Sequence, residues 1–136
     1  MRIARWAFLG MLAAVAAASA DAAPVTLTGE VIDPGLYVRE GRHGAETEEQ
    51  IYDAVDGGLS LGVLEDKTQS VYLSLAAQPG DDPNEWLYEY VGRKVSVTGE
   101  VYVRGGVKGL VISGVQPLDQ PPADAPDHDS AADNAP

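Results

Sequence analysis

Few side chains in this sequence are suited to chemistry. His43 lies in the sequence Arg42-His43-Gly44, and the other histidine, His128, lies close to the C-terminus. A general base needs a positioned partner, and nothing adjacent supplies one, so His43 reads as an exposed loop residue. The chain has no cysteine, which excludes thiolate catalysis, iron–sulfur clusters, thiolate zinc sites and disulfides. The serines support no hydrolase triad. Gly57-Gly58 and Gly105-Gly106 fall at a helix end and a hairpin turn, not in phosphate loops. Glu40, Glu46, Glu48, Glu49, Asp53 and Asp56 are oxygen donors of the kind a hard cation takes. They lack the Asp-x-Asp-x-Asp-Gly calcium-loop pattern. Glu48, Glu49 and Asp53 read instead as a solvated helix face, the first two complementing the helix dipole. No catalytic residue, metal-ligand set or cofactor motif emerges, and the expectation is a protein that is not an enzyme.

Two aromatics are the candidate ligand-binding residues, Tyr37 and Tyr72. In Ser70-Val-Tyr-Leu-Ser-Leu75, taking Val71, Leu73 and Leu75 as inward sets Tyr72 on the outer face of a strand. Tyr37 falls in the first loop, between the first and second strands, at the rim of the same face. An exposed ring there can stack on a sugar, a base or a peptide.

The elements that hold these residues follow from hydrophobic period. Strict alternation predicts strands over 25–32, 59–64, 70–75, 94–103 and 107–115. Val25, Leu27, Gly29 and Val31 form one inward face, Leu59, Leu61 and Val63 another, and Val95, Val97, Gly99, Val101 and Val103 a third. Glu65 to Gln69 is a polar hairpin link, and Gly105-Gly106 a tight turn. Thr47-x-x-Gln50 predicts a capped helix with Ile51, Ala54 and Val55 on one face. Asp82-Pro83-Asn84-Glu85 predicts another, through a capping acid, proline at the first position and a capping-box glutamate. That helix would carry Trp86, Leu87, Tyr90 and Val91, plug the barrel with Trp86 and Tyr90, and stop at Gly92. The heptapeptides Val25–Val31 (VTLTGEV) and Val95–Val101 (VSVTGEV) match at five of seven positions. Their surroundings do not match, so they read as two neighbouring strands under one constraint, each bent at a glycine, Gly29 or Gly99. Five strands, one helix between the third and fourth and an extra short helix between the first and second predict an all-β fold. Its architecture is the five-stranded OB-fold, a Greek-key barrel.

Residues 1–22 read as a signal peptide, with Arg2 and Arg5 before an apolar run too short to span a bilayer and small residues at Ala18, Ala20 and Ala22. The folded domain is 23–118. Residues 119–136 hold five Asp, four Pro and no base, and read as a disordered acidic Ala/Pro/Asp tail. The whole chain carries a net charge of −12. Without the leader, 20 acids face 7 bases, a net charge near −13. Nucleic-acid binding needs a basic surface that releases counterions, and scattered bases do not build one.

The runs GEVIDPGLYVREGRHG, GGLSLGVLED and VGRKVSVTGEVYVRGGVKGLVI together resemble a family of small exported bacterial OB-fold proteins, largely uncharacterised. The resemblance spans about Val25 to Val115. Family members often carry Cys, His, Cys and Cys at positions that fall here on Leu36, Thr47, Gln50 and Ala54. Whatever metal or disulfide role those residues imply has no counterpart in this chain. The expectation is a non-enzymatic periplasmic or secreted OB-fold module, with no membrane span in the mature chain. It binds a small ligand or a cell-envelope protein. The alternative is a divalent-cation-binding acidic protein.

Overall fold

The first strand, β1 (Pro24–Ile32), serves two neighbours in turn. Residues Pro24 to Glu30 pair antiparallel with β4 (Lys94–Arg104), and Gly29 to Ile32 pair antiparallel with β2 (Gly62–Glu65). A hairpin joins β2 to β3 (Val71–Leu75). Strand β3 then runs parallel to β5 (Val107–Pro117), which pairs antiparallel with β4 across the Gly105-Gly106 turn. The five strands therefore form one sheet, ordered β1-β2-β3-β5-β4, that closes on itself as a barrel. The computed structural model describes residues 24–118. The leader and tail inferred above lie outside these residues.

The two heptapeptides lie side by side. Leu27 faces Val97, Val25 faces Gly99 and Gly29 faces Val95, so the segments are related by a local twofold through the Leu27–Val97 pair. Both glycines mark close backbone approach. A Cβ on Gly29 would lie 2.8 Å from Val63 Cγ1 and closer still to the Leu64 carbonyl oxygen. On Gly99 it would meet the Val111 carbonyl and lie 3.0 Å from Ile112 Cα, beside a register shift at Thr98/Gly99.

Alternation sends Leu27, Val31, Leu61, Val63, Val95, Val97, Leu110 and Ile112 into one buried cluster. Leu87 and Val91 close one side of it and Ile51 another. Strand β3 corrects the sequence reading. Val63 of the core faces Tyr72, and Leu110 faces Ser74. Tyr72 packs against the interior cluster, Ser74 is buried, and Leu75 is exposed. The inward set is thus Tyr72 and Ser74, while Val71, Leu73 and Leu75 take the outer face. Ser74 tolerates burial because its hydroxyl donates to the Pro83 carbonyl.

Two short helices occupy the β1–β2 connection. The first, α1 (Pro34–Glu40), was not apparent from periodicity. Asp33 caps it by accepting from Leu36 N at 3.0 Å, Pro34 opens it, and Gly41 ends it at φ 68°. A seven-residue helix is not stable alone, so α1 depends on Leu36, which is fully buried. Burying a leucine contributes about 1.5–3 kcal/mol. The second, α2 (Glu48–Asp56), follows a 3-10 turn at Ala45–Thr47 and buries Ile51. Thr47 is buried, but its hydroxyl donates to the Gly44 carbonyl and not to the helix, so the expected capping box is absent.

The expected helix after Asp82 is a series of turns ending in a 3-10 turn at Tyr88–Tyr90. Asp82 does accept from Asn84 N, at 2.8 Å. The Asn84 side chain, however, accepts from Leu61 N and donates to the Leu59 carbonyl. That ties the first turn to the barrel. Val91 meanwhile bridges to Val31. Held at both ends, the segment buries Leu87 and turns Trp86 outward, 45% exposed, contrary to its expected role as a plug. No helix among the described residues is long and apolar enough to cross a membrane.

Candidate ligand-binding site

Position 30 of β1 points away from the barrel interior, because its neighbours Gly29 and Val31 point inward. An acid there would ordinarily be solvated. Ile32, two residues on, shares this outer face and is fully buried, as is Leu36 of α1. Leu64 faces Glu30 across the ladder and is 3% exposed. A Cβ on Gly62 would meet Pro34 Cγ, so the first turn of α1 lies directly over β2. Helix α1 thus covers the outer face of β1 and β2 at this end, and the Glu30 carboxyl lies under that cover, its side chain 6% exposed.

The chain leaves α1 at Gly41 and returns past Glu30. His43 Nδ1 lies 2.9 Å from Glu30 Oε2. The loop is held by Thr47, whose N–H and hydroxyl both donate to the Gly44 carbonyl. It packs close to Gly92, where a Cβ would come within 3.0 Å of the Gly44 oxygen. Gly92 N donates to Val31 O, and Val31 N donates to Arg93 O. The Tyr37 ring stands edge-on to His43, centroids 5.7 Å apart. Glu30, Tyr37 and His43 therefore converge from β1, α1 and the following loop.

His43 thus has the positioned partner that its sequence neighbours do not supply. An ionised carboxylate only accepts, so Nδ1 donates to Glu30; in the neutral imidazole Nε2 then keeps its lone pair, on a side chain 43% exposed. Such an imidazole can accept a hydrogen bond or a proton, or ligate a metal. No serine, threonine or lysine side chain among the described residues is hydrogen-bonded to His43. The other carboxylate oxygen, Glu30 Oε1, is buried and has no partner. An unsatisfied buried acceptor costs about 1–3 kcal/mol, more when charged.

Tyr72 is elsewhere. Its ring packs on the interior, its hydroxyl lies 3.4 Å from Glu65 Oε2, and Lys108 Nζ stands 5.3 Å from the ring centroid. Burial first, then the Glu65 charge and hydrogen bond, raise its phenol above the ordinary tyrosine range. Lys108 in turn donates to Ser70 Oγ at 2.8 Å. Tyr37 and Tyr72 therefore do not share a face: one belongs to the helix over the outer surface, the other to the interior.

The acids of α2 stand as a solvated face. Glu46, Glu48, Glu49 and Asp53 line an open groove with Ala45 and Tyr52. Among the described residues no three His, Asp or Glu side chains cluster as a metal site would require. No protein-family model matches the sequence, and no curated protein or solved structure matches it.

Two signals for this site were in the sequence. Asp33-Pro34 with Gly41 has the same capping logic as Asp82-Pro83 with Gly92. Ile32 also shares the parity of Glu30, and an isoleucine on a nominally solvated face indicates a cover. The His43 contact itself spans 13 residues through an irregular loop, which no periodicity encodes.

Proposed function

We propose that this chain is a non-enzymatic, exported OB-fold module that binds a small ligand or a cell-envelope protein at Glu30, Tyr37 and His43. The strand order, with β3 and β5 parallel, supports an OB-type Greek-key barrel, as does the family resemblance. The leader-like N-terminus supports export. One observation carries the site: a carboxylate almost wholly removed from water keeps one oxygen without a donor. A ligand offering an N–H, O–H or ammonium group satisfies that oxygen, with His43 Nε2 as a neighbouring acceptor and Tyr37 as an aromatic wall. Oε1 has no solvent contact, so the loop after Gly41 must yield for a donor to reach it. Gly41 and Gly44, both at positive φ, bracket that loop.

The test is a thermal-shift screen of amines, amino acids, sugars and cell-envelope fragments on wild type, Glu30→Gln and His43→Ala. Losing a charge-assisted hydrogen bond costs about tenfold or more in affinity. Compounds that stabilise wild type should therefore stabilise the variants much less. Compounds that shift all three proteins equally place the site elsewhere. If no compound stabilises wild type, and no envelope protein is held by a wild-type column and lost from a His43→Ala column, the proposal fails.

A further inference from the structure

A second surface stands apart from Glu30 and points to a protein partner. The turns after Asp82 expose Trp86 while burying Leu87 beside it. The exposed indole lies in a groove of about 280 Å³ lined by Glu85, Trp86, Glu89, Tyr90 and Val115. Two aromatic rings, two carboxylates and an apolar floor are what a cationic side chain with an aliphatic stem requires. One ring already shows the preference: the Arg93 guanidinium stands 5.5 Å from the Tyr90 centroid. Trp86, the better cation–π acceptor, still presents its ring to solvent. The charge is complementary as well, since the chain carries −12 and draws basic partners by long-range attraction.

We propose that this groove receives an arginine side chain of a protein partner. Arginine fits better than lysine because its planar guanidinium can lie on the indole while its N–H fork reaches Glu85 or Glu89. The stem would lie along Val115. This surface is independent of Glu30, so either reading can fail alone.

The sequence allows a local readout. Trp6 and Trp86 are the only tryptophans, so in a Trp6→Phe background the fluorescence reports on Trp86. The probe is the peptide acetyl-Gly-Arg-Gly-Arg-Gly-amide, with its citrulline counterpart as an uncharged isostere. At low salt the arginine peptide should change the fluorescence saturably and the citrulline peptide should not. With a fluorescein-labelled arginine peptide, anisotropy should show Trp86→Ala weakening binding by roughly 2- to 30-fold. Glu85→Gln/Glu89→Gln should also weaken it, whereas Glu46→Gln/Glu49→Gln, which removes equal charge outside the groove, should leave it near wild type. Absence of binding, equal binding of the citrulline peptide, an unaffected Trp86→Ala, or equal losses in the two double variants would each overturn the proposal.

Discussion

Replacing Gly29 with alanine adds one methyl group where the barrel has no room for it. That methyl would stand 2.8 Å from Val63 Cγ1 and nearer to the Leu64 carbonyl oxygen. Val63 can adjust its side chain, but the carbonyl belongs to β2, paired with β1 on one side and β3 on the other. Gly29 itself pairs with Glu65 and with Val95. The clash therefore moves a backbone tied on both edges. Overpacking of this kind costs about 1–3 kcal/mol. For a domain this size each kcal/mol lowers Tm by about 4–8 °C, giving an expected fall of about 5–20 °C. Gly114→Ala is the matched control: it also lies in a strand, at ordinary φ, with nothing within 4 Å of an added Cβ. It should melt at or slightly above wild type, since glycine in a strand interior costs about 0.5–1 kcal/mol relative to alanine. The assay is reversible thermal unfolding followed by circular dichroism. If Gly29→Ala melts with wild type, or Gly114→Ala falls as far, close approach is not why glycine occupies position 29.

The raised Tyr72 phenol predicts alkaline sensitivity. The folded chain holds that proton more tightly than the unfolded chain, whose tyrosines titrate near about pH 10. The stabilisation is therefore complete below that pH and is lost as pH rises through the folded value. Denaturation midpoints measured from about pH 9 to about pH 11 should fall less steeply in Tyr72→Phe, although Tyr52 and Tyr102, also raised, keep some slope. An unchanged slope refutes this. Export predicts that protein from the native host begins at Asp21 or Ala23 by mass spectrometry. An acidic tail whose only apolar residues are alanines and prolines predicts that deleting 119–136 leaves Tm within a few degrees. Intact Met1 in soluble cytoplasm contradicts the first, and a large drop the second.

All five strands were legible from alternation, and the pairing of β1 with β4 from the strand order expected of an OB-type barrel. Strand β3 was misread because both of its faces are apolar enough to be buried. Val-Tyr-Leu-Ser-Leu offers three aliphatics on one side and a tyrosine with a serine on the other, and period alone favours the aliphatics. The barrel chose the other set: Tyr72 reaches Glu65 with its hydroxyl and Ser74 finds the Pro83 carbonyl, so neither polar group is stranded. The helix after Asp82 failed for a related reason. Asp82 does accept from Asn84 N, but the Asn84 side chain is committed to Leu59 and Leu61, and those tertiary bonds outweigh helix propensity. Of the candidate site, Tyr37 was legible as part of the long first connection. Glu30 was missed although Ile32 and the Asp33-Pro34 cap signal its cover, and His43 was not legible because the loop that delivers it follows no periodicity.

The paired heptapeptides also set a problem of timing. Thr26 and Thr98, hydrogen-bonded across β1 and β4, are 72 residues apart. Strand β1 therefore emerges from the ribosome long before its partner, while β4 and β5 need only a two-glycine turn to find each other. Ladders between distant segments form slowly because the loop between them must close first. Until β4 arrives, the sequence most like β1's partner is the β1 of another chain: the twofold that sets Val25 against Gly99 and Gly29 against Val95 would set Val25 against Gly29 in both directions. A crowded pool of half-made chains thus has a β1–β1 pairing open to it, and it is foreclosed once the fourth strand closes the barrel.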